Sequence, residues 1–502
     1  MIELSAEIAA RALGEDTVSA PVTGISTDTR TLVKGDLFIA LRGDNYDGNQ
    51  FVPAALAGGA GAAVVELGAA IAGEIDYLPP GGQTLHRVPD TLVALAALAR
   101  EVRRASTATV VAITGSVGKT STKDLVSGMA AVVRRVVATS ANENNEIGVS
   151  LTLLEITPET EVVVVEMGMR GKGQIRSLTL TAEPDVAVIT AIAPVHLELI
   201  GRMEDVLAAK AEIFEGVRAG GAAVVPVDAF ELAAAARLSG VRVVTFDFTD
   251  ARAASPEIGP DLSEARSLAA DVVGVARRDG NGGALLRLTW PGGEAEVGTA
   301  FRAAHRLRNA VAATAACYAA GLPVAECVSG LSSVDFTPLR GDEVLAGGVL
   351  IIDDTYNANP VAVRLALDDL AISAESGGRR PIAVLGDMLE LGPHADEYHR
   401  EVGRHAARTG VAALFGVGPR SRHTIQGFRE SLRDRLEPLA GMQPGVWSET
   451  ADAAVDGIVA YLRPGDVVLV KGSRGMKLDR LVERLVARLE HERCSDEVGG
   501  AR

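Results

Sequence analysis

The chain has 502 residues, of which 47% are hydrophobic, and a formal net charge of −16 at pH 7. This length is enough for about three domains. The negative charge argues against a nucleic-acid partner, and it means that an anionic substrate must be held by local basic groups or metal ions. Three cysteines without metal-binding spacing fit a reducing compartment. No apolar run approaches the roughly 18 residues of a membrane span, and no signal-peptide pattern begins the chain. We therefore expect a cytoplasmic protein.

Residues 1–104 are predicted to form a small N-terminal α/β domain. They contain the polar cluster Ser26-Thr-Asp-Thr-Arg30, a strand within 35–41 and a helix over 92–102. The polar, glycine-containing loop 43–50 has the composition of a solvated surface loop, and a binding role is the alternative.

Residues 105–332 alternate short apolar runs with helical patterns. This order predicts a mostly parallel sheet that helices cover on both faces. The predicted elements are strands at 110–113, 162–166, 186–190, 222–227 and 241–246, an antiparallel insertion at 285–290 and a helix at 305–320.

The segment after the first of these strands reads Gly115-Ser-Val-Gly-Lys-Thr-Ser121. Free backbone N–H groups at a helix start attract phosphate oxygens, a lysine there can reach the terminal phosphates, and a threonine hydroxyl can bind Mg²⁺. The spacing is shorter than in the usual P-loop, so an ordinary strand-to-helix turn is the alternative. The apolar strand before the glycines and the helical pattern after them favour a nucleoside triphosphate site.

Two further side chains follow strands of the same sheet. Glu166 ends one strand and His196 follows the next, so both fall on the sheet edge where ligands bind. Glu166 is a candidate Mg²⁺ ligand, and a solvated strand-end carboxylate is the alternative. A single histidine such as His196 is more commonly structural, but its position favours a ligand.

Lys210 lies on the apolar face of a predicted helix, four residues from both Val206 and Phe214. A charge on that face is unfavourable. Either the side chain extends to water, or burial keeps its amine neutral. A neutral amine can react with CO₂ to give a carbamate, which is an anionic ligand for Mg²⁺.

Residues 333–502 are predicted to form a second α/β unit, with strands at 349–354, 381–385, 412–416 and 467–470. Asn359 is suited to cap the helix that follows the first of these strands, with Pro360 in its first turn. The basic turn 471–477 is suited to a phosphate or carboxylate, and a helix start with solvated side chains is the alternative. The residues after Glu492 have the composition of a disordered tail.

Together these stretches resemble the Mur ligase family over nearly the whole chain. The resemblance is carried by residues 26–30, 35–41, 114–120, 144–148, 166–168, 196–198, 210–214, 353–360, 386–392 and 471–475. The short phosphate loop is the usual form in this family. The resemblance implies three domains: an N-terminal one for the UDP-sugar end of the substrate, a central P-loop domain for ATP, and a C-terminal Rossmann-like domain that closes over it.

The resemblance also implies roles for individual residues. The ATP site would contain Gly115, Ser116, Val117, Gly118, Lys119, Thr120, Ser121, His305, Asn309, Arg340 and Asp354. Two Mg²⁺ ions would be held by Thr120, Glu166, His196 and Lys210 as its carbamate, while Lys119, Lys210, His196 and Arg340 would serve catalysis. The uridine end would lie near Ser26, Thr27, Asp28 and Arg30, and dipeptide binding or domain closure would involve Tyr356, Asn357 and Asn359.

The tyrosine–asparagine motif (residues 356–359) and the loop 386–392 resemble the corresponding segments of the family members that join D-alanyl-D-alanine to UDP-N-acetylmuramoyl-tripeptide. The implied reaction uses ATP, passes through an acyl phosphate, and is the last cytoplasmic step of peptidoglycan precursor synthesis. The chain lacks the D-N-P-R tetrapeptide typical of the preceding ligase. Another Mur-type amino-acid ligase and a non-catalytic nucleotide-binding scaffold are the alternatives, and a monomer is expected.

Four positions depart from the family pattern. They are Ala191 and Val195 ahead of the histidine, Arg306 in the helix of His305, and Gly341 directly after Arg340. These departures bear on the contacts of Arg340 and on the adenine pocket.

Overall fold

The computed structural model describes residues 1–499 apart from 17, 19, 44–45, 70, 72–83, 142, 194–201, 251–269, 279–282, 300, 302 and 434–444, and for residues 492–499 it gives the backbone alone. The described chain forms three sheets, each built from a consecutive part of the sequence and packed against helices. The predicted α/β class is therefore confirmed. None of the described helices is long and apolar enough to cross a membrane.

The first sheet has four parallel strands in chain order. Its elements are α1 (Ala6–Leu13), β1 (Ile25–Ser26), β2 (Leu37–Ile39), α2 (Val52–Ala57), β3 (Ala62–Glu66), β4 (Thr84–Val88) and α3 (Thr91–Ala105). Helix α3 begins after Asp90, whose carboxylate accepts hydrogen bonds from the backbone of Leu92 and Val93. Because these bonds satisfy two free N–H groups, they determine where the helix begins.

The second sheet has nine strands in the order β13-β12-β11-β10-β9-β8-β5-β7-β6. Its strands are β5 (Thr109–Thr114), β6 (Val136–Ala138), β7 (Val162–Glu166), β8 (Val186–Ile189), β9 (Ala222–Pro226), β10 (Arg242–Asp250), β11 (Val272–Arg278), β12 (Ala284–Trp290) and β13 (Gly293–Thr299). Its helices are α4 (Lys119–Ala131), α5 (Glu146–Leu154), α6 (Gln174–Ala182), α7 (Met203–Ala211), α8 (Phe230–Leu238), α9 (Ala304–Ala319) and α10 (Val324–Cys327). Strand β12 is antiparallel to both neighbours, as predicted for 285–290.

The third sheet has the order β14-β15-β19-β16-β17-β18, and only β14 is antiparallel to its neighbour. Its strands are β14 (Asp342–Ala346), β15 (Val349–Asp354), β16 (Arg380–Gly386), β17 (Ala413–Val417), β18 (Val446–Ser448) and β19 (Asp466–Lys471). Its helices are α11 (Pro360–Gly377), α12 (Ala395–Arg408), α13 (Ser421–Arg433), α14 (Ala451–Tyr461) and α15 (Asp479–Gly499). The Asn359 side chain accepts from Ala362 N at 2.9 Å, and Pro360 begins the helix, as predicted.

The predictions of a disordered C-terminal tail and of the domain divisions have different outcomes. Helix α15 continues to Gly499, so the predicted disorder after Glu492 is wrong up to that residue. The buried residues Leu481, Leu485 and Leu489 anchor this helix to the sheet, and extending an existing helix adds one hydrogen bond per residue. The domain divisions after residues 104 and 332 stay predictions.

Candidate active site

The phosphate loop connects the end of β5 to the start of α4. Gly118 precedes the helix with φ 85°, and no side chain caps the helix start within the described chain. A Cβ atom at Gly118 would lie 2.6 Å from Asn309 Oδ1, so both its backbone angle and its surroundings require glycine. The uncapped N–H groups of this first turn are available to an anion.

Hydrogen bonds to the segment directly after β8 hold this loop in place. The Thr190 hydroxyl donates to Val117 O at 2.5 Å, and the Ser116 hydroxyl donates to Ala193 O at 3.0 Å. Ser121 is buried in the first turn of α4. These hydrogen bonds attach the phosphate loop to the segment that follows β8.

Lys119 folds back over the loop, and its Nζ donates to Gly115 O at 2.8 Å. Burial lowers the pKa of Lys119, and the charge of Arg340 lowers it further, whereas Glu166 opposes both effects. A bound phosphate would offer this amine an anionic partner in place of a carbonyl oxygen.

Glu166 is 1% exposed, so the solvated strand-end alternative is wrong. Its Oε2 accepts from the Thr120 hydroxyl at 2.7 Å, and its Oε1 accepts from Asn144 Nδ2 at 2.7 Å. A carboxylate beside a hydroxyl is an oxygen donor set of the kind that Mg²⁺ prefers. The sequence analysis gave Asn144 no role, although residues 144–148 are among those that carry the family resemblance. His196 lies outside the described residues.

Lys210 lies in α7 and is 1% exposed, so its side chain does not extend to water. Its Nζ donates to Thr114 Oγ1 at 3.4 Å, and that hydroxyl donates to Met167 O. Burial lowers the pKa of Lys210 well below its usual range, and the charge of Lys119 acts in the same direction, whereas Glu166 opposes both. Among the residues that the structure describes, no group of three His, Cys, Asp or Glu side chains could hold a metal ion.

His305 and Asn309 both lie on α9. Asn309 Nδ2 is buried and has no hydrogen-bond partner in the described chain, so this donor is available for an acceptor atom of a ligand. His305 Nδ1 lies 2.5 Å from Asp369 Oδ2, and Asp369 Oδ1 accepts from Ala304 N at 2.8 Å. Asp369 belongs to α11, so the third sheet's helices contact the start of α9. The sequence analysis missed Asp369, and no local pattern marks it.

Arg340 lies over Tyr356, with its guanidinium carbon 3.9 Å from the ring centroid. Its Nε is buried and has no hydrogen-bond partner among the described residues. Burial raises the pKa of Tyr356, and the charge of Arg340 opposes this. Both residues are half-buried, and Arg340 lines a cavity between the second and third sheets.

A cavity of about 680 Å³ opens between these two sheets. His305, Arg340, Asp354 and Asp369 are among the residues that line it. A cavity of this volume is within the usual range for a small-molecule site.

The tyrosine–asparagine motif is held by the basic turn 471–477. Lys471 Nζ donates to Asp354 Oδ2 at 2.6 Å and to Asn357 O at 3.0 Å. Lys471 is 4% exposed, so the alternative of a solvated lysine is wrong at this position, while Arg474 and Lys477 are exposed. The Asn357 side chain accepts from Ala358 N.

The four residues predicted for the uridine end lie together in and after β1. The Ser26 hydroxyl donates to Asp28 O at 2.9 Å, and Thr27 between them is half-buried. Hydrogen bonds from the Arg30 side chain and backbone lower the pKa of Asp28 to about 2. These residues lie in or directly after β1 of the first sheet, whereas the phosphate loop belongs to the second sheet.

Family comparisons agree with this architecture. Residues 21–103 match the model described as Mur ligase family, catalytic domain, residues 113–317 match the Mur ligase middle domain, and residues 340–474 match the Mur ligase glutamate ligase domain. The fold and the site define an ATP-dependent ligase of this type, and the chain belongs to the Mur ligase family.

The similar proteins extend over almost the full length. A Bacillus subtilis protein named UDP-N-acetylmuramoyl-tripeptide–D-alanyl-D-alanine ligase is 31% identical, with 93% of both chains covered. A Mycobacterium bovis protein of the same name is 33% identical, covering 97% of this chain and 98% of its own.

Among solved structures, MurF from Acinetobacter baumannii has a TM-score of 0.81 at 26% identity and covers 97% of this chain and 99% of its own. MurF ligase from Thermotoga maritima in complex with ADP has a TM-score of 0.75 at 25% identity, with 93% and 98% covered.

Proposed function

We propose that this chain joins D-alanyl-D-alanine to UDP-N-acetylmuramoyl-tripeptide, with conversion of ATP to ADP and phosphate. The observation that carries the proposal is the buried Lys210 amine beside the phosphate loop. A scaffold that only binds nucleotide has no need of such a lysine, whereas a ligase that forms an acyl phosphate needs Mg²⁺ there, and the carbamate of a buried lysine supplies an anionic ligand for it. The names of the full-length relatives support the same choice of substrates.

The phosphate loop and Lys119 bind the phosphates of ATP in this proposal, and the orphaned Asn309 amide binds the base. Thr120, Glu166, His196 and Lys210 hold Mg²⁺. The hydroxyl–carboxylate pair of Thr120 and Glu166, 2.7 Å apart, supports this assignment because both are oxygen ligands. Bound Mg²⁺ neutralises charge on the phosphate oxygens.

Lys210 acts as its carbamate. The neutral amine attacks CO₂, a C–N bond forms, and the released proton passes to solvent. The lowered pKa of Lys210 supports this step because only the neutral amine is a nucleophile. The product is an anion held next to Thr114.

The ligation proceeds in two steps. The terminal carboxylate of the tripeptide attacks the γ-phosphorus of ATP, which gives an acyl phosphate and releases ADP. The amine of D-alanyl-D-alanine then attacks the acyl carbon, loses a proton, and expels phosphate. Lys119 and Arg340 stabilise the charge that accumulates on the phosphoryl oxygens. Closure of the third domain excludes water, which would otherwise hydrolyse the acyl phosphate.

The substrate ends are bound by different domains. Ser26, Thr27, Asp28 and Arg30 contact the uridine end, and Tyr356, Asn357 and Asn359 take part in dipeptide binding or closure. Asp354 contacts the nucleotide from the third domain. We also propose a cytoplasmic, monomeric enzyme.

The test is phosphate release from MgATP with UDP-N-acetylmuramoyl-tripeptide, measured with and without D-alanyl-D-alanine. Release that requires both substrates, with a pentapeptide product identified by mass, supports the proposal. Release stimulated instead by a single amino acid with a dipeptide precursor would make the chain a different amino-acid ligase of the family. The absence of release with either pair would favour the scaffold.

A further inference from the structure

Arg306 reaches from α9 to the segment that carries Arg340. Its Nη2 donates to the backbone carbonyl of Arg340. Its guanidinium carbon lies 4.4 Å from the ring centroid of Phe336, which itself packs edge-to-face on Phe301. The side chain is thus fixed by a hydrogen bond at its tip and by a ring on its face.

Arg306 and Gly341 are two of the positions that depart from the family pattern, and the fold brings them into contact. Gly341 has φ 88°, and a Cβ atom there would lie 3.1 Å from Arg306 Nη2. A side chain at position 341 would therefore push the guanidinium away from the carbonyl that it binds. The two departures fit each other, since the glycine leaves the space that the arginine occupies.

The segment around Arg340 is also held from both neighbouring sheets. Asp124 of α4 accepts from Thr337 N at 2.9 Å, and Asp342 of β14 accepts from Leu339 N at 2.6 Å. Leu339 has φ 66°, a conformation that leucine rarely adopts without outside support. Arg306 supplies a third contact directly at Arg340, and it comes from the helix that carries His305 and Asn309.

Carboxylates balance the charge of Arg306. Burial lowers the pKa of Arg306, and Asp354, Asp342 and Asp369 oppose this effect. Within the described residues, the guanidinium contacts a carbonyl oxygen and an aromatic ring, and it forms no close ion pair there. This favours a role in geometry over a role in binding an anion.

We infer that Arg306 is a positioning residue that holds the backbone of Arg340, so that the Arg340 side chain lies over Tyr356 with its Nε free on the nucleotide side. The inference rests on the proposed function, in which Arg340 contacts the terminal phosphate of ATP. Arg306 also lines the cavity, and in this inference it acts on the bound nucleotide through Arg340.

The test compares binding of a non-hydrolysable ATP analogue with binding of ADP, by calorimetry with Mg²⁺, in the full chain. ADP lacks the terminal phosphate, so a residue that acts through Arg340 changes only the affinity for the analogue. We expect Arg306→Met to weaken the analogue about tenfold, the scale of one hydrogen bond by a charged group, and to leave ADP affinity unchanged. In an Arg340→Met background, the same substitution should have no further effect on the analogue.

The matched control is Arg308→Met on the same helix, since Arg308 faces Asp228 at 3.7 Å and not the cavity. It should leave both affinities unchanged. If Arg306→Met does not fold, Arg306→Lys keeps the charge over Phe336 but lacks the planar group that reaches the carbonyl, and the same comparisons apply.

An equal loss for the analogue and ADP, or an equal loss with and without Arg340, would overturn the inference. Phosphate release with the two peptide substrates reports separately on the proposed function. Nucleotide discrimination that depends on Arg306 in a chain without ligase activity would leave the inference intact and reject the ligase.

Discussion

At the scale of single residues, Lys210 is the clearest example of a side chain whose surroundings disfavour its usual charged form. The residue is 1% exposed, and the only hydrogen bond of its amine within the described chain joins it to Thr114 Oγ1 at 3.4 Å. A buried amine with a single long hydrogen bond destabilises the folded chain. Such an arrangement is expected where the unusual protonation state serves a reaction.

Removal of this amine should abolish most of the turnover. We expect Lys210→Ala to lower kcat about a hundredfold or more, because an anion beside the phosphate site is lost. Added formate or acetate should restore part of the activity, since a small carboxylate fits the vacated space and replaces the carbamate. Phosphate release measures both effects. Wild-type turnover by Lys210→Arg, which keeps a cation but forms no carbamate, would contradict the carbamate.

Removal of the Lys210 amine should raise the stability of the folded chain, although it lowers turnover. Lys210→Met replaces a buried amine with an apolar chain of similar length, and should raise the free energy of unfolding at neutral pH by about 1–3 kcal/mol in CO₂-free buffer. Because the folded-state pKa of Lys210 is lowered, the unfolded chain binds a proton that the folded chain does not, and wild-type stability rises with pH toward the usual value of 10.5. The advantage of the variant should shrink over that range.

Urea unfolding at several pH values measures this difference. The exposed Lys172, which pairs with Asp205 at 2.7 Å, provides the matched control. Lys172→Met should show neither the gain nor its pH dependence. A gain for Lys210→Met that stays constant up to alkaline pH would argue against a lowered pKa.

At the scale of elements, the loop 386–392 depends on one buried histidine. His399 of α12 is fully buried, its Nδ1–H donates to Ala395 O at 2.7 Å, and its Nε2 accepts from Met388 N at 3.0 Å. Both bonds together require the neutral ring. The same loop binds the basic turn, since Leu389 N donates to the Ser473 hydroxyl at 2.9 Å. The histidine therefore supports two loops at the carboxyl ends of the third sheet's strands.

The contribution of His399 to the stability of the folded chain should depend on pH. Burial lowers the pKa of His399 from its usual value of 6.5, so its contribution to stability is complete above that value and is lost as pH falls toward the folded-state pKa. We expect His399→Leu to lower the free energy of unfolding by about 1–3 kcal/mol at neutral pH, because Met388 N–H loses its acceptor. The difference from wild type should narrow in acid.

Thermal unfolding at about pH 7 and about pH 5 measures this effect. His423→Gln is the control, since His423 lies on the neighbouring helix α13 and faces Asp396 at 3.4 Å. This variant should keep the acid sensitivity of the wild type. An unchanged acid sensitivity in His399→Leu would show that other groups cause it.

At the scale of the whole molecule, Arg103 joins the first sheet's helices to the second sheet. It lies in the last turn of α3, is fully buried, and donates to Ala182 O at 3.1 Å and to Asp185 Oδ2 at 2.8 Å. Burial lowers the pKa of Arg103, and Asp185 opposes this. These contacts tie the first sheet's helices to the second sheet, so in the proposed closure we expect the third part of the chain to be the one that moves.

Substitution of Arg103 should therefore lower the stability of the folded chain. We expect Arg103→Met to lower the free energy of unfolding by about 3–5 kcal/mol, because Asp185 and two or more carbonyl groups lose a buried partner. Arg104 next to it pairs with Glu183 while half-exposed, so Arg104→Met should cost about 1 kcal/mol or less. Urea unfolding compares the two. Equal effects would mean that burial adds nothing to the Arg103 contacts.

The sequence by itself determined the features that depend on neighbours along the chain. The turn from β5 through Gly118 into α4 could be predicted because a strand, a positive-φ residue and a helix start follow one another within a few residues. Asn359 and its acceptor role at Ala362 N are likewise three residues apart. Hydrogen bonds of this kind form locally, so residue type and spacing are enough to predict them.

The contacts that complete the site were decided by tertiary structure. Helical spacing placed Lys210 on an apolar face, but only packing against Thr114 decided that its amine does not reach water. Asp369 meets His305, and Arg306 meets Arg340, across 64 and 34 residues of chain. No local preference encodes such pairs, because they exist only once two separately formed sheets pack together. The nucleotide chemistry is therefore visible in short motifs, whereas the positions of its charged groups depend on how the domains meet.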